Sequence, residues 1–191
     1  VDNPSDSLPG NLKELRDHRD WSLNRTACET GVSKAMLGQI ERGESSPTIA
    51  TLWKIATGFN ISLSSLLQGR SRNDGPITSL KQDANELRKP ISDQDGMLVA
   101  TLFPYDSKTG FELFELTFPA EYERLSAAHK EGVSEYITVI HGELSILCDE
   151  EWVSLKAGQS LRFAGDKPHG YRNSGQVDAV INCLIHYPGY K

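Results

Sequence analysis

The sequence predicts two domains in series, an all-α unit of five short helices followed by an all-β unit of short strands. Three observations carry this. Up to Leu67, apolar residues recur at three- and four-residue spacings, the period of helix faces. Beyond Pro76 they fall in short runs broken by turn residues, the habit of strands. Between the two lies Gly69-Arg-Ser-Arg-Asn-Asp-Gly-Pro76, which has the composition of a linker. The expected boundaries are residues 1–68 for the helical domain, 69–92 for linker and lead-in strand, and 93–191 for the β domain.

In the first half, Leu12, Leu15, Ala27, Leu37, Ile40, Leu52, Ile55 and Ala56 mark the buried helix faces. Ser22, Ser33 and Ser62 stand just before helical runs, where a hydroxyl can cap free N–H groups. Gly31, Gly43 and Gly58 stand where helices are expected to stop, and Pro47 where another is expected to open. These signals predict helices of eight to eleven residues. In the second half, strands are expected at Met97–Phe103, Phe111–Phe118, Tyr136–His141, Leu144–Cys148, Trp152–Leu155, Ser160–Phe163 and Val177–Tyr187. Many short strands at near-regular spacing indicate a sandwich or barrel.

Hydrophobic content of 38% and charge of 24% exclude a disordered chain. Apolar stretches such as Ala179 to Ile185 are too short to span a bilayer, and no secretory leader pattern opens the sequence, so a cytoplasmic protein without a membrane partner is expected. Cys28, Cys148 and Cys183 are odd in number and far apart, which argues for a reducing compartment and for small buried hydrophobes rather than disulfides. The net charge is −6, of which residues 1–68 contribute −1 and the remainder −5. Whole-domain charge therefore gives nucleic-acid binding no support, and a case for it must rest on where the cations sit.

Leu23 to Arg42 supplies that case. Two helices crossing at a tight turn need a small residue, a turn residue tolerating positive φ, and apolar anchors on the second helix. Ala27, Gly31, and Val32, Leu37 and Ile40 meet these needs. The second helix then exposes Lys34, Ala35, Gly38, Gln39 and Arg42. Gln39 can pair with an adenine edge, Lys34 can reach guanine or phosphate, and Ala35 or Met36 can meet a thymine methyl.

The segment Trp21 to Ala56, with Gly31-Val-Ser33, Ile40-Glu-Arg-Gly43, Pro47-Thr48 and Leu52 to Ala56, resembles the XRE (phage repressor-like) helix-turn-helix family. The resemblance implies that Ser33 opens the recognition helix and that Lys34, Ala35 and Gln39 face bases. It further implies that Ser22, Asn24, Arg42, Ser46 and Thr48 touch phosphates, and that Arg16 and Glu41 form an internal salt bridge. Two positions depart from the family pattern: Leu23, where a Gln is frequent, and Thr26, where the residue is usually apolar.

In the β half the chemistry-bearing residues are His129, Glu131, Glu135 and His169. Along a strand, i and i+2 share a face, so His129 and Glu131 are expected to point into one interior. Imidazoles and carboxylates converging from separate strands suit a divalent metal: Zn, Fe, Mn or Ni. His129-Lys-Glu131-Gly-Val-Ser-Glu135 through Gly142, and Gly165 through Pro168-His169 to Asn173, are similar to the two motifs of the cupin family. That resemblance implies a jelly-roll barrel with His129, Glu135 and His169 as ligands and Glu131 as an optional fourth. One His of the first motif is missing. Either Glu131 takes its place, or His129 does so with one extra residue before Glu135. His18 is expected to be exposed, His141 to sit in a turn, and Tyr105, Tyr122, Tyr136 and Tyr171 to be core or pocket wall.

An XRE domain joined to a cupin implies a transcription regulator that binds double-stranded operator DNA as a homodimer and senses a small-molecule effector. A similar Val32 to Arg42 segment in sulfur- or amino-acid-linked regulators points to an effector of that kind. The rival reading is a metal-dependent cupin enzyme, a dioxygenase or isomerase, with an appended helical domain.

Overall fold

The computed structural model describes residues 4–68, 81–90 and 96–189. The linker expected at 69–76 lies outside the described residues, and so does the expected boundary near 93. The chain divides into a helical unit and a β unit.

The helical unit holds α1 (Pro4–His18), α2 (Leu23–Thr30), α3 (Lys34–Glu41), α4 (Ile49–Phe59) and α5 (Leu63–Gln68). Leu8, Leu12, Leu37, Ile40, Leu52, Ile55, Phe59 and Leu66 form its core, each nearly inaccessible to solvent. Three serines cap as expected: Ser22 Oγ accepts from Arg25 N, Ser33 Oγ from Met36 N, and Ser62 Oγ from Ser65 N. Gly31 ends α2 in the left-handed conformation, φ 65°, that only glycine adopts without strain.

Five expectations fail here. Helix α1 runs to 15 residues and α5 to six, outside the expected lengths. Gly58 does not stop α4, which continues to Phe59 and is capped by Asn60 at φ 57°. Gly58 is instead a packing residue, since a Cβ there would lie 2.7 Å from Glu29 O and Thr30 Cα. Pro47 does not open α4, because the cap is Thr48, whose Oγ1 accepts from Thr51 N at 3.3 Å. Gly38 is buried, not on the reading face, and Cys28 is exposed, not packed.

The β unit begins with a turn of helix, α6 (Ala84–Leu87), and a two-residue strand, β1 (Lys89–Pro90). Then follow β2 (Leu98–Asp106), β3 (Phe111–Phe118), β4 (Tyr122–Ser126), β5 (Ser134–His141), β6 (Glu143–Cys148), β7 (Glu151–Lys156), β8 (Ser160–Ala164), β9 (His169–Asn173) and β10 (Ala179–His186). Two antiparallel sheets result, ordered β1-β2-β3-β10-β5-β8 and β4-β9-β6-β7, the two-layer form of a jelly roll. Phe114, Phe118, Ile137, Val139, Leu144, Ile146 and Ile181 fill the space between the layers. Phe118 of one sheet stacks on Tyr171 of the other, with centroids 5.4 Å apart.

Strand β4 is absent from the sequence reading for a physical reason. Its inward residues are Tyr122, Arg124 and Ser126, while Leu125 between them is 62% exposed. Its polarity is inverted, so no apolar alternation announces it. Tyr136 likewise faces outward, 41% exposed, rather than lining the interior. Asn173 Nδ2 donates to the carbonyls of Phe118, Pro119 and Val177, tying the end of β9 to the end of β3.

Candidate DNA interface and buried barrel site

The helix-turn-helix surface is built from local signals. Ser22, Asn24, Ser33, Lys34, Ala35, Gln39, Arg42 and Ser46 are all exposed, and Thr48 is half-buried. Ser22, Ser33 and Thr48 are N-caps of α2, α3 and α4. Capping uses an acceptor lone pair of each hydroxyl rather than its O–H, and Thr48 Oγ1 also lies 3.1 Å from Thr51 Oγ1. The first turns of α2, α3 and α4 carry no acidic residue, so the positive ends of three helix dipoles stay unopposed.

Behind this surface, Arg16 reaches Glu41 with Nε to Oε1 at 2.7 Å and Nη2 to Oε2 at 3.2 Å, while its Nη1 donates to Trp21 O at 3.0 Å. One guanidinium thus pins α1, the entry to α2 and the end of α3. Glu41's hydrogen bond, against partial desolvation, raises Arg16 above its ordinary value. Thr26 occupies its core position by donating Oγ1–H back to Ser22 O at 3.0 Å, so its hydroxyl is not orphaned. Arg42 is not free in this state, since Nε and Nη2 fork onto the Glu44 carboxylate at 2.8 and 2.7 Å.

In the barrel, His129, Glu135 and His169 meet, all buried, with one donor atom from each within 4.8 Å of the others. His129 Nε2 lies 2.9 Å and His169 Nε2 3.3 Å from the same oxygen, Glu135 Oε1. Glu135 Oε2 accepts from the Tyr171 hydroxyl in a short hydrogen bond and has Cys183 Sγ at 3.6 Å. Burial alone would push the Glu135 carboxyl up, but hydrogen bonds and charge from the two imidazoles outweigh it and hold it well below the usual carboxylate range. Burial pulls His169 down, yet Glu135 wins and raises it. Burial first, then the Glu135 charge, drives the Tyr171 hydroxyl and the Cys183 thiol well up, so both stay protonated.

Glu131 does not join this cluster. It lies exposed in a turn, and His129 precedes that turn in a loop, so the two do not share a strand face. His129 N donates to Gly165 O at 2.9 Å and Gly165 N to Val133 O at 2.9 Å, which draws residues 129–133 off the strand path. Gly165 also leaves room for the cluster. A Cβ there would stand 3.1 Å from His129 Cδ2 and 3.3 Å from Glu135 Cγ and Oε1. His141 is exposed at the end of β5 and His18 is exposed on α1. Tyr171 and Cys183, expected only as pocket wall or core and as a small buried hydrophobe, both contact the Glu135 carboxylate. Tyr171 had a signal, since it lies two residues beyond His169 on one strand and so shares its face.

The donor set fits a metal ion. His169 Nδ1 lies 2.9 Å from Lys167 O, which can only accept, so Nδ1 carries the hydrogen. On a neutral ring, Nε2 is then a bare lone pair facing a carboxylate oxygen. Two acceptors at that distance require a proton or a cation between them.

Comparison with known proteins agrees with both halves. A family model described as helix-turn-helix matches residues 12–66, and one described as a cupin domain matches residues 116–185. The chain is 43% identical to the HTH-type transcriptional regulator SutR of Escherichia coli strain K12 over 188 residues, 98% of this chain and 99% of that protein. It is 29% identical to the HTH-type transcriptional regulator PuuR of the same organism over 164 residues, 85% of each. A crystal structure of an HTH_3 family transcriptional regulator from Vibrio cholerae superposes with a TM-score of 0.82 at 42% identity, covering 96% of this chain and 97% of that one. No helix among the described residues is long and apolar enough to cross a membrane. An all-α helix-turn-helix unit, an all-β jelly-roll unit and these relatives lead to one conclusion: the chain belongs to the HTH-type transcriptional regulators that join a DNA-binding helix-turn-helix to a cupin domain.

Proposed function

We propose that this regulator senses a small molecule in its barrel, with a divalent metal held by His129, Glu135 and His169. The observation that carries the reading is the buried convergence of two imidazole Nε2 atoms on one carboxylate oxygen. Two imidazoles and one carboxylate suit Zn, Fe, Mn or Ni, and a three-residue set leaves coordination positions for an effector. When bound, the metal supplies a Lewis-acidic anchor. The chain's own residues do the rest: Lys167 O fixes the His169 tautomer, and Tyr171 holds the second Glu135 oxygen. Glu131, exposed in its turn, is left out of the ligand set proposed here. That the relatives covering most of the chain are named transcriptional regulators supports a regulator over a cupin enzyme.

On the DNA side, Lys34, Ala35 and Gln39 face the bases of a major groove, while Ser22, Asn24, Ser46, Thr48 and Arg42 contact phosphates, with Ser33 opening the recognition helix. The domain limits stay at 1–68, 69–92 and 93–191, and the setting is cytoplasmic. The working form is a homodimer on a two-fold operator. Its support is an apolar cross-strand row on the outer face of the larger sheet: Tyr136 beside Leu184, Leu184 beside Leu113, and Leu113 beside Phe103. Tyr136 and Phe103 are each 41% exposed, and a patch of this kind marks a protein contact. The effector, an amino acid or sulfur metabolite, acts through its differential affinity for two arrangements of the dimer, a coupling of about 1–3 kcal/mol.

The test is elemental analysis of the full chain and its His169→Ala variant, joined to operator titrations with and without a chelator. Metal present in the wild type and lost in the variant, with operator affinity shifted about fivefold or more by chelation, is the expected result. A metal-free wild type whose operator affinity ignores both chelator and metal sinks the metal reading.

A further inference from the structure

Strand β4 is built inside-out, and its inward face carries two buried polar groups. Arg124 Nε and Ser126 Oγ are buried, and neither has a hydrogen-bond partner among the described residues. Ser126 as a whole is only 8% exposed. Such orphans are rare in folded proteins, because each forfeits the hydrogen bonds it made to water. What surrounds Arg124 supplies a ring face and a weak sulfur acceptor rather than a strong oxygen acceptor. Nη1 has the Met97 thioether sulfur at 4.0 Å, and the guanidinium carbon stands 5.1 Å from the centroid of the Tyr171 ring. No carboxylate among the described residues forms an ion pair with it.

Register places both groups at the cluster described above. In the β4–β9 ladder Ser126 lies directly opposite His169, and Arg124 directly opposite Tyr171. Side chains directly opposite on one sheet face have Cβ atoms about 5 Å apart. The barrel thus has an electron-rich side, Glu135 with its two imidazoles, and beside it a donor side made of a guanidinium and a hydroxyl.

We propose that Arg124 and Ser126 form the anion-binding half of the effector site, and that the effector is a small carboxylic acid whose carboxylate rests on these two side chains next to His169. The inference rests on the reading of the barrel as a sensor and adds the chemical class of what it senses. A planar guanidinium fork matches a planar carboxylate in two parallel N–H···O bonds, and the serine adds a third donor. One positive charge suits a single negative one. A dianion such as sulfate or phosphate would bring a second charge toward the Glu135 carboxylate, which repels it.

Isotope-labelled acetate, titrated into the full chain at constant ionic strength and followed by NMR, tests this, with acetamide as the neutral isostere. Acetate is expected to bind the wild type about tenfold or more tightly than acetamide, the worth of a charge-assisted contact. Arg124→Gln should lose about that factor and Arg124→Lys part of it. Ser126→Ala removes a single oxygen, so it keeps the test alive if Arg124→Gln disturbs the barrel; it should weaken acetate several-fold. The absence of acetate binding in the wild type overturns the proposal, and so does equal binding of acetamide or an undiminished response in Arg124→Gln and Ser126→Ala. Metal content and operator affinity are read in separate assays on the same wild-type sample, so a barrel that binds acetate through Arg124 without altering operator affinity refutes the sensor and leaves the anion site standing.

Discussion

The exposed polar surface of α2, α3 and α4 and the interior of the barrel hold their polar side chains under opposite constraints. On the helices, Lys34, Gln39 and Asn24 stand in water and cost nothing to display; their placement follows from caps and turns within a few residues of each. In the barrel, Glu135, His129 and His169 are withdrawn from water, and an unpaired charge there is expensive. Each must find a partner, and Glu135 draws on both His129, six residues away in a loop, and Tyr171, 36 residues away on another strand. The surface is therefore specified locally and tolerates change, whereas the interior is specified by topology and does not.

That contrast predicts the largest effect in the molecule at Glu135. Glu135→Ala leaves two imidazoles, a tyrosine hydroxyl and a thiol facing one another without the carboxylate that joins them. Breaking a buried pair by removing one member costs about 3–5 kcal/mol. Urea denaturation should show that loss in the barrel's transition, and a cost below about 1 kcal/mol would mean that the cluster is not charge-paired.

Next comes Gly58→Ala, which asks whether the helical unit has any interior as intolerant as the barrel's. Alanine gains about 1 kcal/mol of helix propensity over glycine. Its methyl, however, would meet backbone atoms of Glu29 and Thr30 at 2.7 Å, and backbone cannot swing aside as a side chain can. Overpacking of this sort costs about 1–3 kcal/mol, so net destabilisation of the helical unit is expected in thermal unfolding. A stabilised variant would show that the α2–α4 crossing relaxes freely.

The same division decides what was legible in the sequence. Ser22, Ser33 and Gly31 announce the helix-turn-helix because each acts on its immediate neighbours, and seven strands of the β unit announce themselves by apolar runs. Gly58 reads locally as a stop and proves to be a contact with a helix nearly 30 residues earlier. Strand β4 is silent because its inward residues are polar. The cluster itself is reached through motif resemblance at His129, Glu135 and His169, and Tyr171 through strand parity with His169, while Arg124 and Ser126 need the sheet register to bring them into view. Glu131 was drawn in by a strand alternation that the loop through Gly165 does not obey.

A smaller effect is expected on the exposed face of α3. Gln39→Ala should cost about 1–3 kcal/mol at one position of each operator half-site, if its amide pairs with an adenine edge, and should leave other positions unaffected. Selection of bound sequences by wild type and variant measures this directly. An unaltered preference would place Gln39 outside the groove.

The smallest expected effect lies at the edge of that surface, where Glu44 holds Arg42 in a two-bond fork. Both side chains are more than half exposed, so the pair adds little to folding, and its consequence is for binding. A cation already matched by a carboxylate gains less from a phosphate, because it must give up the first partner to take the second. Removing the carboxylate releases Arg42 and also takes a negative charge from beside the DNA. Glu44→Ala is thus expected to tighten operator and non-operator binding alike by a few-fold at low salt, with stability nearly unchanged. The decisive quantity is the salt dependence. Each additional phosphate neutralised steepens the slope of log affinity against log salt by about 0.9, so the gain in the variant should shrink as salt rises. Filter-binding or anisotropy titrations across a salt series give that slope, and one identical to the wild type would mean that Arg42 touches no phosphate and that the fork with Glu44 persists on DNA.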